Sequence, residues 1–219
     1  MPAGTPRGDV MSNYFTIEKD AQAEFVEKRS RFIANVRKCE NEAEALAFLE
    51  EMRSKYWDAR HNCFAYIVDK GKTARFSDDG EPHGTAGKPM LDVLQGSGLV
   101  NMAVVVTRYF GGVLLGTGGL VRAYSKSAKD GLEAAGKVEM VLCAIYNIMC
   151  AYSDHAKLQN LLENSGANIE STEFTDKVSI TYALKQEDIE PFEAKLTEFF
   201  AARLISEKIG EKIVPCKID

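Results

Sequence analysis

Val178, Ile180, Tyr182 and Leu184 alternate with polar neighbours, the period-two pattern of a strand with one buried face. Just downstream, Ile189, Phe192, Leu196, Phe199 and Phe200 recur three and four apart, which predicts an amphipathic helix. Upstream, residues 138–151 form a nearly continuous apolar run that reads as a long strand. A helix opening at Ser153 follows, buries Leu158, Leu161 and Leu162, and stops at Asn164-Ser165-Gly166. A short strand through Ile169, a turn at Thr175-Asp176 and a last strand over residues 204–214 complete the order β-α-β-β-α-β. That order is the split βαβ, ferredoxin-like arrangement.

The preceding part of the chain is also mixed. Residues 15–26 and 31–37 read as strands, and Asn41 with Glu44 forms a capping box for a helix that buries Ala45, Leu49, Met52 and Tyr56. Residues 63–68 and 73–76 read as a hairpin around Lys70-Gly71. The stretch 77–89 is a loop long enough to suggest function, with three glycines and two prolines in 13 residues. A short helix over residues 90–95 precedes a buried strand at Val104. Thr117 is expected to cap a helix running to about Ala135, with Leu120, Tyr124, Ala128, Gly131 and Ala135 as its buried stripe and Arg122, Lys126 and Lys129 on another face. That helix ends in Ala-Ala-Gly-Lys, a glycine C-cap that marks a boundary. The expected organisation is a frayed leader over residues 1–12, a domain over 13–136 and a second over 137–219.

Composition narrows the class. The chain has 219 residues, with 45% hydrophobic and 27% charged, which is ordinary for a globular protein. No apolar run reaches the roughly 20 residues needed to cross a bilayer, and the start lacks the basic-then-apolar layout of a signal peptide, so a soluble, cytoplasmic protein without a membrane partner is expected. Five cysteines, at 39, 63, 143, 150 and 216, show no C-x-x-C pair and read as reduced thiols. Residues 1–136 hold 18 Lys and Arg against 18 Asp and Glu, while residues 137–219 hold 9 against 14. The acidic excess therefore lies in the second domain, which argues against nucleic-acid binding by the whole surface but allows a local basic patch.

Candidate chemistry concentrates at residues 104–122, where a buried strand runs through a glycine-rich loop into a helix. Free N–H groups at a helix start favour an anion, and glycines let it approach the backbone. Arg108 and Arg122 flank the loop, and Gly111, Gly112, Gly116, Thr117, Gly118 and Gly119 form it. Two readings stand: a phosphate cradle, or tight turning at Gly111-Gly112 and close packing at Gly118-Gly119. The Asp78, Asp79, Glu81 and His83 cluster could hold a hard divalent ion, its carboxylates supplying oxygen ligands; in the other reading Asp78 and Asp79 bond loop N–H groups and pair with Arg60 or Arg108. Lys28, Arg29 and Arg31 form a basic cluster; placed beside Arg108, Arg122 and Lys126, they would make a nucleic-acid track with Tyr109 or Phe110 free to stack on bases. A cysteine-protease pairing of Cys63 with His61 has weak support, and the G-x-S-x-G elbow of serine hydrolases is absent.

Three motifs, Arg60-His61-Asn-Cys-Phe-Ala, the loop 77–89 with Thr85 near its centre, and the run from Arg108 to Tyr124, resemble the signature of the IMPACT family in its bacterial form. The resemblance covers residues from about 15 to 219. It implies an α+β fold of two domains. The first has the left-handed β-α-β fold of a ribosomal protein's second domain, shared with GHMP kinases; the second is ferredoxin-like, similar to the last domain of elongation factor G. Eukaryotic members regulate translation under stress by competing for the activator of a kinase, with the help of an extra N-terminal RWD domain. No room for one is expected before Phe15, so that competition is not carried over. The expectation is a translation-linked binding protein without catalytic residues, cofactor or resident metal. Its groove, at Arg60, His61, Asp78, Asp79, Thr85, Arg108, Tyr109, the glycine loop and Arg122, would take RNA or a ribosome-associated partner. The alternative is an enzyme on a phosphorylated metabolite or nucleotide, with Asp78 and Asp79 holding Mg²⁺.

Overall fold

The computed structural model describes residues 13–216. The leader expected over residues 1–12 lies outside them. Two compact units are present, one of Tyr14–Glu139 and one of Asn13 with Met140–Cys216. Among the described residues no helix is long and apolar enough to cross a membrane.

The first unit is built on one antiparallel sheet. Its strands are β2 (Ala21–Glu27), β3 (Ser30–Lys38), β4 (His61–Val68), β5 (Thr73–Ser77) and β6 (Met102–Tyr109), in the spatial order β2-β3-β6-β4-β5. β1 (Tyr14–Ile17) precedes them. The single strand expected over residues 15–26 is thus two, because the chain bends at Glu18 and Lys19, whose N–H groups bond the carbonyls of Gly136 and Ala135. The register places Phe32, Arg108 and His61 side by side, followed by Ala34, Val106 and Cys63, so these residues share one face. Ile33, Thr107 and Asn62 start the other.

Each face is covered by helices. α1 (Glu42–Lys55) buries Ala45, Phe48, Leu49 and Met52 against Tyr66, Val68, Ala103 and Val105. α2 (Gly87–Ser97) and α3 (Thr117–Ala135) pack their apolar residues on the Phe32–Val106 face. Asn41 caps α1 as read, Glu44 N–H donating to its Oδ1 at 3.0 Å, but the Glu44 carboxylate accepts from the N–H of Glu40 at 2.8 Å rather than from that of the cap residue itself. α2 starts three residues earlier than the apolar pattern suggests, since Pro89 is tolerated in a first turn. α3 is not capped by Thr117. Gly116 is the N-cap at φ 73°, a conformation that strains a β-branched residue, and no side chain bonds the helix end.

The second unit is ferredoxin-like. β7 (Lys137–Cys150), α4 (Tyr152–Asn164), β8 (Asn168–Phe174), β9 (Val178–Lys185), α5 (Ile189–Phe200) and β10 (Ser206–Cys216) follow in order. β9 pairs both β7 and β8, and β10 pairs β7. Ala144, Tyr146, Ile148, Val178, Ile180, Tyr182 and Leu184 face the two helices and meet Leu158, Leu162, Phe192, Leu196 and Phe200.

Candidate functional site

The three signature motifs meet at one end of the first unit's sheet. The loop after β5 folds over the start of β4: Asn62 N–H donates to Asp79 Oδ2 at 2.6 Å, His61 Nδ1 lies 2.9 Å from the Asp79 carbonyl, and the Cys63 thiol donates to the Asp78 carbonyl at 3.0 Å. Asp78 serves the start of α2. Its Oδ1 accepts from Ala86 and Gly87 at 3.0 and 2.8 Å, and its Oδ2 from Gly84 at 2.8 Å. Burial by itself would raise the Asp78 carboxyl, but the three N–H groups outweigh it and hold the group below its ordinary value. The glycine at 87 is required, since a Cβ there would lie 2.6 Å from the Ser77 carbonyl oxygen. Thr85 is buried, with its hydroxyl on the Pro82 carbonyl at 2.6 Å.

Arg108 is spent inside the protein. Its Nη1 donates to Glu81 Oε1 at 2.7 Å, and the two side chains are only 7% and 3% exposed. The Tyr124 hydroxyl donates to the same Oε1 at 2.8 Å, Ser30 Oγ lies 3.5 Å from Nη2, and Nε is buried without a partner among the described residues. The guanidinium also sits between two rings, its carbon 5.5 Å from the centroid of Phe32 and 5.5 Å from that of Phe110. Burial pushes the Tyr124 phenol and the Cys63 thiol up, so both stay protonated. β4 begins early enough to put His61 and Cys63 on one face, yet their bonds to Asp79 and Asp78 leave no thiolate-imidazole pair.

The expected pairing of Asp78 or Asp79 with Arg108 or Arg60 does not form; Arg108 pairs with Glu81, brought over by the loop. Arg60 is exposed, and Arg53 lies 3.9 Å from Asp79 instead. Tyr109 falls on the opposite face from Arg108, its hydroxyl on Asp58 at 2.7 Å. Ser30 and Tyr124 were not singled out as polar site residues. Ser30, fully buried, also accepts the Gly111 N–H at 3.2 Å. Nothing in its sequence context marks it.

The glycine loop divides by role. A Cβ on Gly111 would fall on the backbone of Arg29, and Gly112 needs its φ of 81°. Gly118 differs: it has neither positive φ nor crowding, and the nearest atom to an added Cβ is Arg122 Nη1 at 3.7 Å. Beside it lies a pocket of about 220 Å³ lined by Phe25, Glu27, Lys28, Leu115, Gly119, Arg122, Ala123 and Lys126. Lys126 pairs with Asp130 and rests on the Phe25 ring, whereas Lys28 and Arg122 have no ion-pair partner among the described residues. Lys28 and Arg29 form the β2–β3 turn with φ of 46° and 67°. Glycine and asparagine are favoured in such a turn, and for Lys and Arg it costs about 1–2 kcal/mol per residue. Among the described residues no group of three or more His, Cys, Asp or Glu is arranged to hold a metal.

A sheet with helices on both faces, a glycine-rich entry to α3 and a ferredoxin-like unit define a two-domain α+β scaffold. Residues 28–132 match the Impact N-terminal domain, and residues 148–203 match a domain of unknown function, DUF1949. The chain belongs to the IMPACT family. The IMPACT family member YvyE of Bacillus subtilis is 36% identical over 190 residues, covering 86% of this chain and 88% of YvyE. YigZ of Escherichia coli is 38% identical over 175 residues, covering 78% and 86%. A protein IMPACT homolog of Dictyostelium discoideum matches 41% of this chain and 27% of its own length at 36% identity. A crystal structure of a hypothetical protein superposes with a TM-score of 0.58 at 34% identity, covering 93% of this chain and all of that one, 100%.

Proposed function

We propose that the chain is a translation-linked binding protein whose first unit takes RNA phosphate at the start of α3. The observation that carries this reading is a contrast among three helices. α1 has Asn41 and two acidic residues in its first turn, and α2 has Asp78; α3 has no side-chain cap and no acidic residue in its first turn. The pocket that begins at Leu115 and at Gly119 of its first turn carries Lys28, Arg122 and Lys126 along its wall, and Gly118 keeps the approach to the free N–H groups and positive dipole end open. The IMPACT resemblance supplies the link to translation. Both Asp78 oxygens and one of Asp79 already accept backbone N–H groups, which favours the binding reading over an enzyme that holds Mg²⁺ there. Arg108 and Thr85 serve in this proposal as internal supports of the loops around the phosphate site, whereas Tyr109, on the opposite sheet face, is not part of it.

The test is binding of a short fluorescent RNA, together with ribosome co-sedimentation. Three cations neutralising phosphate give a log–log salt slope near −2, or about a twentyfold loss of affinity between 50 and 200 mM salt. Arg122→Ala should weaken binding and flatten that slope by about 0.7. Absence of an RNA shift at low salt, with no ribosome co-sedimentation, refutes the proposal.

A further inference from the structure

Phe110 is one of the large hydrophobic side chains left exposed at the surface. It leaves the end of β6 two residues after Arg108 on the same face, and its ring lies over the guanidinium at 5.5 Å. Arg108 is itself fixed by Glu81 at 2.7 Å and backed by Phe32. One face of the Phe110 ring is therefore seated on a buried, immobile cation. Phe110 is nevertheless 52% exposed, and the side away from Arg108 is the one open to a ligand. A fixed ring with one open face is a stacking platform whose ordering cost has already been met by the fold.

The surroundings indicate what stacks there. Gly111, next in the chain, packs on the backbone of Arg29 in the basic turn, and Leu115 of the same loop lines the pocket of Lys28, Arg122 and Lys126. Val113 and Leu114 between them are 39% and 81% exposed. The loop thus joins an apolar platform at one end to a cationic pocket at the other. A duplex offers phosphates but keeps its base faces stacked inside, so it gains nothing from Phe110. A single strand offers both an anionic backbone and a free base face.

We propose that the site selects single-stranded RNA, with one base stacked on Phe110 and a neighbouring phosphate in the Lys28–Arg122–Lys126 pocket. The inference rests on the RNA-phosphate reading above and specifies its strand form. Full-length protein is titrated with a labelled single-stranded oligoribonucleotide, the same sequence as a duplex, and an abasic strand of equal length.

The wild type should bind the single strand more tightly than the other two. Phe110→Ala should weaken single-strand binding roughly tenfold, with unchanged salt slope and unchanged duplex binding, while Phe110→Trp retains it. Equal affinity for single strand, duplex and abasic strand overturns the proposal but leaves the phosphate reading intact. So does a Phe110→Ala effect confined to self-association in analytical ultracentrifugation, which would make the platform an interface between copies. Binding of none of the three overturns both readings. The wild-type comparison of strand forms decides the matter even if a variant misfolds.

Discussion

Removing the Glu81 carboxylate should destabilise the first unit far more than removing any exposed carboxylate. Glu81→Ala leaves the Arg108 guanidinium at 7% exposure with only Ser30 Oγ at 3.5 Å, and deprives the Tyr124 hydroxyl of its acceptor. An uncompensated buried charge costs about 3–5 kcal/mol. The orphaned hydroxyl accounts for about 1–3 kcal/mol when alone, but both groups share one oxygen and the costs overlap rather than add. A loss of about 3–5 kcal/mol is expected. Glu81→Gln keeps one acceptor and should lose roughly half as much. The triple replacement Arg108→Met, Glu81→Leu, Tyr124→Phe takes away charge and donors together, and should fall within about 1 kcal/mol of the parent. Chemical denaturation followed by circular dichroism measures the changes, and hydrogen exchange at the β6 amides assigns them to this unit. A Glu81→Ala cost below about 1 kcal/mol, or a triple variant no more stable than the single one, would refute the idea that this network is a buried charge held by its partner.

Gly111→Ala forces a methyl onto the Arg29 backbone and should cost about 1–3 kcal/mol or more, whereas Gly118→Ala should be neutral or stabilise α3 by up to about 1 kcal/mol; thermal melts of the two variants separate crowding from ligand access. Replacing Lys28-Arg29 by Asn-Gly relieves the positive-φ strain and should stabilise the fold by about 1–2 kcal/mol while weakening RNA binding, and loss of stability in that variant would contradict the strain argument. Asp78 is held below its ordinary value of 3.8, so its contribution is present above that pH and lost as pH falls through the folded value. The parent should show this acid loss, and Asp78→Asn should be less stable at neutral pH with a flatter acid limb in melts recorded from pH 5 to pH 2.

What the sequence made legible was set by local physics. The alternation at Val178–Leu184, the stripe on α5 and the Asn41 cap need only neighbours within a few residues, and all three stand where the pattern placed them except that Phe199 is exposed. Partner choice over long distances was not legible. Arg108 had three nearby candidates in the loop, and Glu81 wins because Asp78 and Asp79 are taken by the N–H groups of α2 and β4. The Lys28-Arg29 turn carries no turn-forming residues, so its sharp reversal is set by β2–β3 pairing rather than by its own preference. Thr117 looked like a cap because its type suits one. The chain turns one residue earlier, at Gly116, and leaves the helix end bare.

The strand order β2-β3-β6-β4-β5 also dictates when the first unit can exist. β6 lies between β3 and β4, pairing Phe32 with Arg108 on one side and His61 with Arg108 on the other. During synthesis the two hairpin-forming pairs, β2–β3 and β4–β5, emerge first, each with an edge that lacks its neighbour. The central strand is the last of the five to leave the ribosome, and it closes contacts across a long span of chain, the slow kind of pairing in folding kinetics. Until then those edges are open to mispairing. The residues that complete the sheet, 102–109, are continuous with the loop and helix start that form the candidate site, so the nascent unit gains its fold and its site in one late step.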